Sequence, residues 1–205
     1  MSREARVARQ RELLEANPGL SLLSLTAQPP GPVKRTAESL VVAEAGVKAV
    51  RAAFQIEYEE LRDLETGYEG FFLVPESPEE AKRLTCRIED THPLGRLMDI
   101  DVIVPIGQTV EHAVGTAVDR LSGQQLEPGR VHSRFAHSLR SGLAAAEYGL
   151  SSTAALTNVQ PLGREEIGLE PRRCLLCDRP ARECMRAKTH ALEELLEKYK
   201  EIVNI

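Results

Sequence analysis

The sequence predicts an α+β domain in which helices pack on a mixed sheet. Short runs such as Leu20 to Thr26, Gly70 to Val74 and Met98 to Val102 are apolar or alternate with period two, as strands do. Longer stretches, chiefly Thr36 to Phe54 and the C-terminal residues, place apolar side chains three and four apart, as helices do. These runs interleave along the chain, which favours one layered sheet with helices on one face over separate helical and β domains. A chain of 205 residues has room for one sizeable core, so 1–205 is expected to be a single domain.

Residues 2 to about 16 read as a polar helix bracing the surface, stopped by Asn17-Pro18-Gly19. Leu20 to Thr26 is a strand that runs into Gln28-Pro29-Pro30-Gly31-Pro32-Val33-Lys34, too rich in proline for regular structure. That stiff loop ends in a cation: Lys34 is either held over a phosphate or is the solvated end of a connector. From Thr36 to about Phe54, Leu40, Val41, Val47 and Val50 form the apolar stripe of a helix lying on the sheet. Gly70 to Val74 is a buried strand. Ser77-Pro78-Glu79-Glu80 is a capping box with proline at the first helical position, opening a short helix to about Arg83. Leu84 to Pro105 then reads as strand, tight turn and second strand, with Cys86 alternating inward beside Ile88 as a small buried hydrophobe.

Gln108 to about Gln160 has no Lys or Cys and is rich in Ala, Gly and Ser. It reads as an atypical helical or poorly ordered insertion at about 108–160, with helices at about Thr109 to Leu121 and Ser133 to Tyr148 around Glu127-Pro128-Gly129. His112, His132 and His137 share no ligand spacing there and are expected to be surface or packing residues. The last helix, from about Ala187 to Val203, is expected to turn Leu192, Leu195, Leu196 and Tyr199 inward.

A net charge of −5 and a pI near 5.7 supply no basic field, so no nucleic-acid partner is expected, whereas a small anionic substrate held locally is allowed. The N-terminal residues are charged with no apolar core of a signal sequence, and no run is long enough to cross a bilayer. A cytoplasmic protein without membrane attachment is expected. Its four cysteines are then reduced thiols or metal ligands instead of a disulfide framework.

The densest chemistry lies between His92 and Val102. Alternation through Met98, Asp99, Ile100, Asp101 and Val102 puts both carboxylates on one face, where they repel unless a hard, oxygen-seeking cation sits between them. Magnesium is the candidate. His92 and Arg96 add an imidazole and a guanidinium just upstream, where a metal-bound polyphosphate needs a counter-charge. Two solvated aspartates on a hairpin are the competing reading; the His92-Pro93-Leu94-Gly95-Arg96 turn favours a site. Near the C-terminus, Cys174, Cys177, Cys184 and His190 follow C-x2-C-x6-C-x5-H, a donor set suited to tetrahedral zinc or, alternatively, a set of reduced core thiols with a neighbouring histidine. Arg172, Arg173, Arg179, Arg182 and Arg186 surround them and make a basic lobe in an acidic chain.

Three pieces together resemble a known family. They are Pro30-Gly31-Pro32-Val33-Lys34, the run from His92 to Val102, and Pro171-Arg172-Arg173-Cys174-Leu175-Leu176-Cys177 continuing through Cys184 to Lys188-Thr189-His190. Over 20–106 and 161–205 the chain resembles the citrate lyase holo-acyl-carrier-protein synthases, that is, the apo-citrate lyase phosphoribosyl-dephospho-coenzyme A transferases. It departs from them at the 108–160 insertion. The family is similar in outline to nucleotidyltransferases, whose Arg-x-x-Asp-x-Asp tail Arg96 to Asp101 resembles, so the resemblance implies a nucleotidyltransferase-like core. The glycine-serine opening of that larger group is not visible.

The resemblance implies transfer of the phosphoribosyl-dephospho-coenzyme A group from triphosphoribosyl-dephospho-coenzyme A to a serine of the acyl carrier (gamma) subunit of citrate lyase, releasing pyrophosphate. It implies that Asp99 and Asp101 hold magnesium, that Arg96 stabilises the leaving pyrophosphate, and that His92 takes the serine proton or binds phosphate. Lys34, Arg172 and Arg173 would bind the remaining phosphates, and the lobe from Cys174 to Arg186 would receive an acidic carrier. Two other classes stay open on the residues alone: a nucleotidyltransferase acting on a small molecule, and a non-catalytic zinc-stabilised adaptor.

Overall fold

A computed structural model describes residues 3–106 and 158–204. Its elements are α1 (Arg3–Ala16), β1 (Ser21–Ala27), α2 (Ala37–Ala53), β2 (Tyr58–Leu64), β3 (Gly67–Val74), α3 (Pro78–Thr91), β4 (Met98–Pro105), β5 (Val159–Pro161), α4 (Ala181–Ala187) and α5 (Leu192–Val203), with short 3-10 turns at Gly95–Leu97 and Glu165–Ile167. The helices expected within the insertion, with His112, His132 and His137, lie outside the described residues. Asn158 to Gln160, which the sequence reading assigned to the insertion, are described, and Val159 and Gln160 belong to the sheet.

The α+β class is seen, and the sheet corrects the expectation of mixed strand directions. Its order is β2-β3-β1-β4-β5, and all four pairings are antiparallel. Helices also cover both faces instead of one. On one face Leu23, Leu25, Phe72, Ile100 and Val102 pack in a common core with Val42 and Val50 of α2, Ala81 of α3 and Tyr199 of α5. Gly46 lets α2 settle directly on β1, because a Cβ there would lie 2.9 Å from a Leu25 methyl. On the opposite face Leu13 of α1 covers Leu22, Phe71, Leu73, Ile103 and Val159. The polar-looking α1 is tied down by charge as well: Arg6 Nε donates to the buried Glu69 at 2.8 Å, and Gln10 donates to Ser24 at 3.3 Å.

The expected first arm of a hairpin, Leu84 onward, is helix. Ser77 caps α3 by accepting from Glu80 N–H, and the helix then buries Ala81, Lys82, Thr85, Cys86 and Glu89 along one stripe, a spacing of three and four. The alternation of Cys86 and Ile88 was too short a sample to separate period two from this longer period. Cys86 is nonetheless buried, at 2% exposure. β2, YEELRDL, was missed because it is an edge strand whose exposed charges hide its alternation; Arg9 and Arg51 meet its Glu60 and Glu59. The last helix, expected from about Ala187, begins at Leu192; Ala187 instead ends a separate helix, α4, which Lys188 closes in the left-handed region at φ 48°. Tyr199 is buried as expected, whereas Leu192 is 39% exposed.

Candidate functional site

β5 pairs only with Ile103 to Pro105, so the Met98 to Asp101 half of β4 has a free outer edge. α3 lies along it. Glu89, 4% exposed, accepts the backbone N–H of Ile100 at 2.8 Å with one carboxylate oxygen and Arg164 Nη2 at 2.6 Å with the other. The edge hydrogen bond is thereby satisfied and the buried acid paired.

Asp99 stands opposite Thr26 and Asp101 opposite Ser24 across the β1–β4 ladder, so both acids share one sheet face, as the period predicted. They form part of the wall of a cleft of about 410 Å³, faced by Lys82, Arg164 and Arg172 and by Arg182 and Arg186 of α4. Asp99 accepts from Gln28 Nε2 at 3.0 Å and lies 3.6 Å from Arg172 Nη1. The nearest basic group to Asp101 is Lys82 Nζ, at 3.8 Å. The Asp101 carboxyl is pushed up to about 7, first by desolvation and then by the charge of Asp99. An acid pair held this close, partly desolvated and made only of oxygen donors fits a hard divalent cation.

Of the other residues singled out from sequence, Arg172 reaches the cleft and Arg96, His92, Lys34 and Arg173 do not line it. Arg96 instead donates through Nη2 to the carbonyls of Arg173 and, at 2.8 Å, Cys174. Arg172 returns the contact, donating to the carbonyls of Arg96 at 2.7 Å and Met98 at 2.6 Å. The two guanidiniums interlock the turn before β4 with the cysteine segment. His92 ends α3, and its Nδ1 accepts the N–H of Leu94 at 3.0 Å. Gly95 is required in that turn, since a Cβ would stand 2.5 Å from the Glu89 carbonyl. Lys34 donates to the Pro29 carbonyl at 2.7 Å and so ties its own loop, while Arg173 is largely exposed beside Asp178. Sequence reasoning passed over Lys82, Glu89 and Arg164. For Lys82 and Glu89 the only signal was helical spacing, which becomes informative once α3 is known to continue to Thr91; Arg164, in the turn after β5, had none.

Cys174, Cys177, Cys184 and His190 offer ligand atoms within 4.8 Å of one another. Cys177 Sγ lies 3.5 Å from Cys184 Sγ and 3.4 Å from His190 Nε2, close to the edges of roughly 3.5–3.8 Å of a zinc-centred tetrahedron with such ligands. Cys177 is also held down to about 6, first by the backbone of Arg179 and next by His190, as a thiolate ligand requires. The first two cysteines sit on a small hairpin closed by the Arg173–Pro180 bridge. The group is therefore arranged to bind a metal such as zinc. Among the described residues no helix is long and apolar enough to cross a membrane.

An acid pair facing basic side chains across a cleft suits group transfer, and comparison with known proteins makes the chain a transferase. One transferase family model matches residues 1–116 and 154–205, extending past both ends of the first stretch that carried the resemblance and before the start of the second. That family is apo-citrate lyase phosphoribosyl-dephospho-CoA transferase, and the chain belongs to it. Relatives with that name in Shigella boydii serotype 18, Escherichia coli O157:H7 and Shigella sonnei are each 29% identical over 209 aligned residues, spanning 100% of this chain and 85% of the relative.

Proposed function

We propose that this chain transfers the phosphoribosyl-dephospho-coenzyme A group from its triphosphate precursor to a serine of apo-citrate lyase's acyl carrier subunit, in the cytoplasm. The observation that carries this reading is the pairing of Asp99 and Asp101 with Arg172 and further basic groups in one cleft, in a chain of this family. Magnesium held by Asp99 and Asp101 would neutralise the acid pair and draw charge from the triphosphate. Arg172 would bind a phosphate oxygen, and Arg182 and Arg186 at the mouth would meet the rest of the donor or the acidic carrier. The serine oxygen forms a bond to the phosphorus next to the ribose; its proton leaves to a base, and the bond to the bridging oxygen breaks, its electrons leaving with pyrophosphate. His92, whose Nδ1 accepts from Leu94, stands outside the cleft wall, and its Nε2 is the atom that would take a proton or a phosphate. Arg96, Lys34 and Arg173 act by holding the turn, the proline-rich loop and the cysteine hairpin in place.

The Cys3His group is a structural zinc site in this reading, and Arg172 beside it transmits its order to Asp99. That wiring argues against a bare zinc adaptor, in which the aspartates would have no connection to the hairpin. We also infer one transferase domain interrupted between β4 and β5. Incubating apo carrier with the protein, magnesium and triphosphoribosyl-dephospho-coenzyme A, followed by mass spectrometry of the carrier, tests the function. A mass gain equal to the transferred group supports it; an unmodified carrier, with the donor intact, overturns it.

A further inference from the structure

We propose that Lys82 is a phosphate-binding residue of the cleft, taking a non-bridging oxygen of the donor's polyphosphate when the acid pair holds its cation. This rests on the function proposed above. Lys82 lies early in α3 and is 5% exposed, with its side chain at 6%. Removing an ammonium from water costs several kcal/mol unless a partner replaces the lost hydration. Among the described residues Lys82 Nζ makes no hydrogen bond, and Asp101 Oδ1 at 3.8 Å is beyond that range. Arg164, in the same cleft, shows what a satisfied buried cation looks like: it contacts Glu89 at 2.6 Å and Asp90 at 3.0 Å. Lys82 thus presents donors without a protein partner to a cleft in which it and four guanidiniums match five carboxylates, a lining that turns basic once a cation covers the aspartates, the chemistry of an anion site.

The charge balance gives the same answer. Lys82 beside Asp101 and Arg172 beside Asp99 offset the two carboxylates as they stand. A divalent cation on the aspartates leaves both basic groups in excess, one on each side of the pair. A chain of phosphates that bridges the metal and reaches both sides restores neutrality, whereas a single phosphate satisfies one.

The test uses inorganic tripolyphosphate as the probe and manganese in place of magnesium, with calorimetry for the polyanion and paramagnetic resonance for free metal. Lys82→Met keeps the length and removes the charge; Lys82→Gln replaces it if the Met variant does not fold, and Lys82→Arg keeps the charge. At saturating manganese the Met variant is expected to bind tripolyphosphate about 10–100-fold more weakly, the worth of one charge-assisted hydrogen bond. Its manganese affinity without tripolyphosphate is expected to stay unchanged or improve, and Lys82→Arg to retain most of the polyanion affinity. Wild-type tripolyphosphate affinity in both neutral variants overturns the proposal, as does loss of manganese binding in proportion to loss of tripolyphosphate, which would make Lys82 a support for the acids alone. Asp101→Asn separates the two readings. If wild type binds tripolyphosphate in an Asp101-dependent way and Lys82→Met matches it, only the Lys82 assignment falls; if wild type binds none, the metal-polyphosphate reading falls with it.

Discussion

Asp99 and Asp101 stand two residues apart yet live in different surroundings. Asp99 has a hydrogen bond from Gln28 and faces Arg172, while Asp101 faces Lys82 at a longer distance, with Asp99 and Glu89 adding negative charge. Asp101 therefore holds its proton up to about 7 in the fold against 3.8 when unfolded. A raised acid contributes stability below its unfolded value and loses it as pH climbs through the folded one. Between about pH 5 and pH 8 Asp101 is expected to cost the metal-free protein stability, against the opposite contribution of the lowered Cys177 thiol, so that Asp101→Asn melts higher relative to wild type near about pH 8 than near about pH 5. With 37% of the side chain exposed, solvent screening trims the effect to about 1 kcal/mol, or roughly 2–4 °C. An equal slope in wild type and variant, by calorimetry, would remove Asp101 as its source. The same position should be indispensable for turnover: Asp99→Ala or Asp101→Ala leaves the fold intact and cuts carrier modification by about a thousandfold or more. Near-normal turnover in either would sink the metal assignment. The acid pair was legible in the sequence because two carboxylates at period two stand out on any strand. Lys82 and Glu89 were not, because only the course of α3 along the open edge of β4 turns ordinary helical charges into cleft residues, and Arg164 was not, because it joins them only once the chain after β5 returns to Glu89 and Asp90.

Helix α3 shows where element-level reading fails. Ser77 and Pro78 marked its start, but nothing in Arg83 to Thr91 marks an internal stop, and the stop assumed there came from two inward residues in alternation. The end lies at His92, where the next turn needs Gly95 against the helix carbonyls. The motif His92 to Arg96 thus encodes a helix exit, and its Arg96 anchors the cysteine hairpin at the Cys174 carbonyl. The Cys3His donor set was legible from ligand spacing, with reduced core thiols as the alternative; its link to Asp99 through Arg172 was not, since the two lie far apart in the chain. This wiring sets an expectation for the element. Cys177→Ser is expected to lose bound zinc and lower Tm by roughly 5–10 °C, and to weaken divalent-metal binding at Asp99 by freeing Arg172. Metal analysis and thermal melts check both parts. Unchanged melting with no zinc in wild type would strip the cluster of its structural role.

At the scale of the molecule, the sheet tells where the chain can be cut. β4 and β5 meet in register with Pro105 opposite Val159, and beyond them Ile106 N–H donates to the Asn158 carbonyl at 3.0 Å. Two antiparallel strands that face each other in this way can be joined by a two-residue turn. Within the family match, 117–153 is the stretch left out. We therefore expect a variant with 107–157 replaced by Asn-Gly to unfold cooperatively, with Tm within a few degrees of wild type, and to modify carrier at saturating substrate within about threefold. Any loss should appear in substrate affinity. The boundary drawn from sequence, ending at Gln160, makes a sharper comparison. It would remove Val159, which is 7% exposed and packs with Phe71, Leu73 and Ile103, and would open the rest of the β4 edge. Deleting 108–160 should cost about 1–3 kcal/mol more than deleting 107–157 for the lost valine packing alone. Equal stability of the two variants in urea melts would show that β5 contributes nothing to the core. An insoluble 107–157 variant, or a folded one without turnover, would instead place the excised segment within the catalytic domain.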